Sequence, residues 1–430
     1  PEPVEPVESE TRSDFSSDFF EPVTLRYANG VTVILNSNDI VEGQVFIAAA
    51  SPGGHAAVAD DDVVDSFYAV DVALRSGIGD LDGAALGRFL AGRDVEISPA
   101  ISPYRESFSG TSGTTDLELA MQLMRLYMTA PAFEPLAFEQ FRAQIAPVIA
   151  DPAIDRGVAA RDAISELRYA GAARFEILPE PDEFATFDVD GDERVFRERF
   201  SNPDDWVFAF SGDLDVENAT ELANRYFGSL PAGEPESVPD VGIEPPAGVV
   251  ERTVEAGAGD TAQIRLLFST PIDDIDAETR AVAEVAERVL DARLTRVVRE
   301  TLGATYSPRA TVRVVTDPDP IVEVGVIVTG APDRIGEIEG VVLDEVRDLA
   351  GEGLEASDFE PALAEVVEFY GFVNNGQFLD DLLESELHPA RDLDDFWGIA
   401  RVLGEIAVSY THLTLPTTRQ RCRSRWWAGH

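Results

Sequence analysis

Two stretches of this 430-residue chain follow the same plan, and a proline-rich break lies between them. The strand-like run QVFIAAA from Gln44 leads into an acidic turn, Asp60 to Asp62, and an apolar helix through Leu74 that Gly77 and Gly79 stop. QIRLLFS from Gln263 stands in the same place ahead of a long helix over about 277–302. A strand pair and further helices follow each: VEISPAISPYRESFSGTSG and LELAMQLMRLYM in the first cycle, ATYSPRATVRVV and PIVEVGVIVTG with two more helices in the second. Residues 231–250 hold five prolines and neither a helical nor a strand period, which makes them a linker. The pattern predicts an α+β fold of two similar domains, each an antiparallel-rich sheet with helices packed on one face.

Finer signals set the boundaries. VTLRYANGVTVIL alternates apolar and polar positions on both sides of Asn29-Gly30, predicting a hairpin closed by a type I′ turn. WVFAFSG from Trp206 predicts a late strand before a last helix ending in RYFGSLP. The expected organisation is a Pro/Glu-rich linker over 1–21, a first domain over 22–231, a linker over 232–250, a shorter, truncated second domain over 251–408, and a foreign segment over 409–430. The chain begins with Pro1, so its start is expected to be internal to a longer product.

Charge removes whole classes of function. The 33 cations are all Arg, against 80 Asp and Glu, for a net charge of −47. Such a surface repels phosphate backbones and anionic lipid, so no nucleic-acid partner and no membrane-surface role is expected. No run reaches the roughly 18 apolar residues of a membrane helix, and no membrane insertion is expected. Cys422 is the only cysteine, which excludes an intramolecular disulfide and a cysteine-built metal site.

The last residues break the acidic pattern. SYTHLTLPTTRQRCRSRWWAGH holds no Asp or Glu and four Arg. It resembles a translated sequencing-adapter readthrough; the alternative is a basic tail that binds RNA through Trp426 and Trp427. Resequencing the locus is expected to return a continuing acidic frame past Val408, and recovery of the same tail from genomic DNA would refute this.

Searches for chemistry leave one constellation. His55, His388, His412 and His430 are too scattered for a local zinc motif, and His55 beside Asp60–Asp62 reads as a surface histidine at a helix start. There is no phosphate-binding glycine loop and no G-x-S-x-G elbow. Arg293, Arg296 and Arg299 stack at three-residue intervals near the end of the 277–302 helix, and Tyr306 follows Arg299 by seven. Cations at a helix C-terminus complement its dipole, which is the plain structural reading. Guanidinium and phenol are also both donors, suited to a peptide carbonyl and its developing negative charge.

The segment RETLGATYS, with Arg299 and Tyr306 seven apart, resembles the Arg-Tyr pair in the C-terminal half of the pitrilysin/insulinase family of zinc peptidases, the inverzincins. LRYANGVTVIL, SPGG, SGIG, LAGRDVEISPAI, SGTSGTTDLELAMQLMRLYMTAP and RYFGSLPAG resemble, in order, landmarks of the same family's domains, over about residues 22–408. Active members carry H-x-x-E-H on the first long helix of their N-terminal half. Here that helix reads DDVVDSFYAVDVALRSG, without histidine. The resemblance therefore implies the non-catalytic C-terminal half of a clamshell metalloendopeptidase, with no catalytic residue and no metal ligand of its own. Zinc and the glutamate base would lie in an N-terminal catalytic half, upstream in the same polypeptide or a separate subunit. Arg299 and Tyr306 would contact the peptide substrate, and the compartment would be periplasmic or extracellular. The alternative is a non-catalytic structural or binding subunit, which a genuine start codon shortly before Pro1 would favour.

Overall fold

The computed structural model describes residues 4–14, 21–169 and 172–371, the last without 176–177, 237, 243–245, 247, 258–260, 274, 303–306 and 353–355. Beyond these it describes positions 375, 379, 383, 387 and 402–403 and the backbone of 421–426. Two compact units emerge, one from 1–146, 179–241 and 373–391, the other from 147–178, 242–372 and 392–430. Residues 147–178, placed by sequence in the first domain, thus pack in the second unit. Ala159 and Ala160 there lie against Ala256, and Arg168 grips Glu323 through bonds of 2.6 and 2.7 Å.

The first unit is built on a seven-stranded sheet. Its strands are Thr11–Asp14 (β1), Val23–Arg26 (β2), Thr32–Ser37 (β3) and Gln44–Pro52 (β4), then Val95–Ile101 (β7), Arg105–Gly113 (β8) and Val207–Gly212 (β9). Gly77–Ile78 (β5) and Leu81–Asp82 (β6) form a separate small hairpin. The large sheet runs β1-β2-β3-β9-β4-β8-β7, antiparallel everywhere except between β3 and β9. β1 falls in the stretch read as a linker; TRSD has no apolar alternation and joins the edge by main-chain pairing with β2, with Arg12 also donating to Glu217 at 3.1 Å.

Helices Val63–Ser76 (α1), Gly83–Leu90 (α2), Leu117–Thr129 (α3), Pro181–Phe184 (α6), Val189–Phe200 (α7) and Val216–Tyr226 (α8) complete this unit, and Pro135–Ala150 (α4) ends beyond it. α3 follows its apolar spacing closely, burying Leu117, Ala120, Met121, Met124 and Met128. Asp215 caps α8 by accepting from the Asn218 amide at 2.7 Å.

The β2–β3 hairpin forms with Val23 opposite Leu35, but its turn is not type I′. That type needs positive φ at both central residues, and here only Gly30 has it, at 91°. Gly30 N donates to Tyr27 O at 3.1 Å and Tyr27 N to Val31 O at 2.9 Å, a β-turn over residues 27–30 followed by a glycine bulge. Asn29 spends its side chain elsewhere: Nδ2 donates to the carbonyls of Phe227 and Leu230 at 3.0 and 3.1 Å, tying the hairpin to the end of α8.

β9 is the hub of the core, with all six residues buried. Trp206 and Phe208 stack at 5.4 Å, Phe208 and Phe227 at 4.2 Å, and Phe200 packs against Phe108 at 5.2 Å.

The second unit repeats the topology. Val249–Val254 (β10), Ala262–Pro271 (β11), Ser307–Val315 (β12), Ile321–Gly330 (β13) and Arg421–Trp426 (β14) form a sheet in the order β10-β14-β11-β13-β12. Only β10 and β14 are parallel. The helices are Arg156–Arg168 (α5), Ala277–Leu302 (α9), Ile335–Glu352 (α10) and Ala356–Gly371 (α11). α9 buries Ala281, Val285, Val289, Leu294 and Val298 among Ile338, Val342, Phe359 and Val366. The fold is α+β, and the antiparallel-rich reading holds for both sheets.

Phe208→Ala is expected to destabilise the first unit by about 3–5 kcal/mol, the usual range for a fully buried Phe. A urea titration read by intrinsic fluorescence checks this, and a loss below about 1 kcal/mol would show that β9 is not the hub.

Candidate functional site

α9 presents its three arginines on one face, because residues three apart sit one above another. Two of them are neutralised. The Nε of Arg293 donates to Glu345 of α10, its Nη1 lies 3.7 Å from Asp358 of α11, and Arg296 Nη1 bonds Asp358 at 3.1 Å. Arg299 is exposed at the same end of the helix and has no ion pair among the described residues. The C-terminal dipole therefore accounts for three cations, while Glu345 and Asp358 account for only two. Tyr306 lies outside the described residues.

In the first unit, α1 and α7 face each other across carboxylates. Asp62 at the start of α1 holds Arg194 of α7 through two bonds, the Nε one at 2.9 Å, and that guanidinium pulls its carboxyl below the usual range. Asp65 accepts from the Asp188 amide at 3.3 Å, and burial pushes it up to about 6. Asp192 is fully buried, and neither carboxylate oxygen has a hydrogen-bond partner. Burial pushes it up to about 9, with Asp65, Asp188 and Asp71 adding to the rise. The Nδ1 of His55 lies 2.8 Å from Ser66 Oγ, whose own proton goes to Val63 O at 2.6 Å.

A second buried charge cluster explains the SPGG run after β4. The Gly54 amide donates to Glu106 Oε2 at 2.8 Å, and the buried Arg199 reaches Glu236 at 2.7 Å. A Cβ at Gly53 would collide with the Arg199 guanidinium, and φ there is 147°, so glycine is required twice over. Burial raises Glu106 to about 8 against the pull of Arg199.

Comparison with known proteins places this geometry. The sequence profile of the peptidase M16 inactive domain matches residues 194–366. The probable zinc protease PqqL of Haemophilus influenzae is 21% identical over 284 residues, which are 66% of this chain and 30% of that protein. Residues 194–366 are therefore homologous to the M16 inactive domain, and the chain is similar to the PqqL protease.

Solved structures agree on the fold. The periplasmic protease PqqL from Escherichia coli superimposes with a TM-score of 0.77 at 18% identity, over 99% of this chain and 47% of that one. A peptidase M16 inactive domain from Pseudomonas fluorescens gives 0.75 at 15% identity, over 95% and 98%. The ferredoxin protease FusC, solved with Arabidopsis ferredoxin, gives 0.74 at 17% identity, over 100% and 47%. The chain thus spans less than a third of its curated relative and about half of the two full-length proteases. It is a peptidase-type C-terminal half.

The M16 likeness raises the question of zinc, and the donors on α1 do not fit it. Zinc sites of peptidases use imidazole beside carboxylate, and α1 has no histidine. Asp62 is spent on Arg194, and the buried Asp192 favours the protonated form, which is no ligand. Among the described residues no cluster of three His, Cys, Asp or Glu can hold a metal ion. No helix is long and apolar enough to cross a membrane, again among the described residues.

Sequence reasoning missed a polar knot behind β9. Ser211 Oγ donates to Asn375 Oδ1 at 2.8 Å and accepts from Asn36 and Asn38 at 2.8 and 3.0 Å, and Asn38 also donates to Asn375 at 2.8 Å. No local motif marks it, because its members lie up to 337 residues apart.

Asp192 holds a proton in the folded chain that the unfolded chain releases, so stability falls as pH rises from the ordinary carboxylate range through about 9. Asp192→Asn is expected to raise the melting temperature by about 2–8 °C at pH 9 and by less at pH 5. Thermal melts at both values check this, and an equal shift at both would remove the proton from the explanation.

Proposed function

We propose that this chain is the non-catalytic C-terminal half of a zinc-dependent M16 metalloendopeptidase, working in the periplasm or outside the cell. An N-terminal catalytic half, upstream or as a separate subunit, supplies the zinc and the general base. This half supplies chamber walls and contacts to the peptide substrate. Support comes from the inactive-domain match and from superposition on half of a periplasmic protease.

The observation that carries the role of this chain is the third arginine of α9. Arg293 and Arg296 are neutralised by Glu345 and Asp358, whereas Arg299 is exposed with its charge uncompensated among the described residues. A guanidinium in that position donates to a peptide carbonyl or a substrate carboxylate in a fixed planar geometry. Tyr306, seven residues on, donates its phenol proton toward the oxygen of the scissile carbonyl as charge builds there. Neither residue moves a proton to or from water, so hydrolysis belongs to the other half.

A second reading, a structural or binding subunit without catalysis, draws on α1, where carboxylates and Arg194 form an internal contact. Reconstitution separates the two. The isolated chain is expected to bind no stoichiometric zinc by calorimetry and to cleave no peptide. With the catalytic half restored, Arg299→Ala is expected to raise KM about tenfold, the loss of one charge-assisted bond. Tyr306→Phe is expected to lower kcat more than it raises KM. Tight one-to-one zinc binding by the isolated chain, or unchanged kinetics in both variants, would overturn the assignment.

A further inference from the structure

The two units place a strand in the same slot and fill it with very different sequences. In the first unit β9 lies between β3 and β4, parallel to β3 and antiparallel to β4. In the second, β14 lies between β10 and β11 with the same two directions. β9 suits its slot: all six residues are buried, and Phe208 and Phe210 stand opposite Ala49 and Ile47, both in the core. A strand flanked on both sides and covered on both faces needs apolar residues throughout.

β14 does not meet that requirement. The residues opposite Ile264 and Leu266 are Arg425 and Arg423, and both β11 partners are buried core residues. Directly paired residues of an antiparallel ladder share a face, so the slot asks for apolar side chains at those two positions. RCRSRW offers arginine instead, among the residues least tolerated in a core. β14 joins its neighbours by main-chain pairing, which any extended peptide supplies.

We propose that the gap between β10 and β11 is a strand-acceptor site for an extended apolar peptide. The peptide enters parallel to β10 and antiparallel to β11, with large apolar side chains opposite Ile264 and Leu266. Residues 421–426 are its displaceable occupant. Recognition rests on ladder hydrogen bonds for affinity and on the two core-facing positions for selectivity. The proposal does not depend on the peptidase reading.

The test uses the full chain and a synthetic peptide with the sequence of residues 205–214, DWVFAFSGDL. The control is the same peptide with arginine at both phenylalanine positions. Cys422, the only cysteine and the residue opposite Leu267, reports on the occupant without any mutation. The expected result is saturable binding by fluorescence anisotropy, hydrogen exchange of the β10 and β11 amides slowed about tenfold or more, and faster reaction of Cys422 with a thiol reagent. The arginine control is expected to do none of these. If Cys422 already reacts at the rate of an unfolded thiol before peptide is added, the slot stands open and slowed exchange with the apolar peptide alone still supports the site. Equal binding of the two peptides, or binding that leaves β10 and β11 exchange unchanged, overturns it.

Discussion

The first unit depends on a strand that arrives late. β3 and β4 are joined by a short connection yet never pair with each other; β9 lies between them, and the Asn36–Ser211 contact across β3 and β9 joins residues 175 apart. Before β9 is in place, both inner edges of the sheet are open. Everything central then packs on that one strand: Trp206 and Phe208 stack, Phe227 of the α8 end closes over them, and Ser211 anchors the asparagine knot. A contact so distant in sequence must overcome a large loop-closure entropy before it gains anything, which explains the density of aromatic rings at the point of closure.

Much of this was legible beforehand, for local reasons. The apolar period of LELAMQLMRLYM, the acidic start and glycine stop of α1, and the long α9 follow from rules that act within a dozen residues, and they lie where expected. The type I′ turn was misplaced because Asn29 is recruited by carbonyls at 227–230, almost 200 residues away. Residues 147–178 group with the second unit, and helical periodicity could not say so, because it reports that a face is buried without saying against what. For the candidate site, the spacing of Arg293, Arg296 and Arg299 was visible, but only the packing of α10 and α11 shows which charges are already compensated. The pairing of Asp65 with Asp192 carried no signal at all, since two acids 127 positions apart read as solvated charge in any linear inspection.

The α1–α7 contact is held by carboxylates rather than by apolar packing alone. These carboxylates do structural duty: Asp62 clamps Arg194, while Asp65 meets the start of α7 through the Asp188 amide. Asp192 is the costly member, a buried acid without partners whose neighbours are all negative. The SPGG box is its counterpart. There a buried acid, Glu106, accepts the Gly54 amide proton and feels the nearby charge of Arg199, and Gly53 leaves room for both side chains.

Every ion pair described in this fold is made by a guanidinium, as in Arg168–Glu323, Arg194–Asp62 and Arg293–Glu345. A guanidinium keeps its proton throughout the range in which an ammonium group would begin to lose one. Alkali therefore dissolves none of these clamps by neutralising the cation. It also leaves the side chains without a primary amine, so acylating, glycating and imine-forming reagents find no lysine to attack. The clamps of this molecule are thus out of reach of amine-directed reagents.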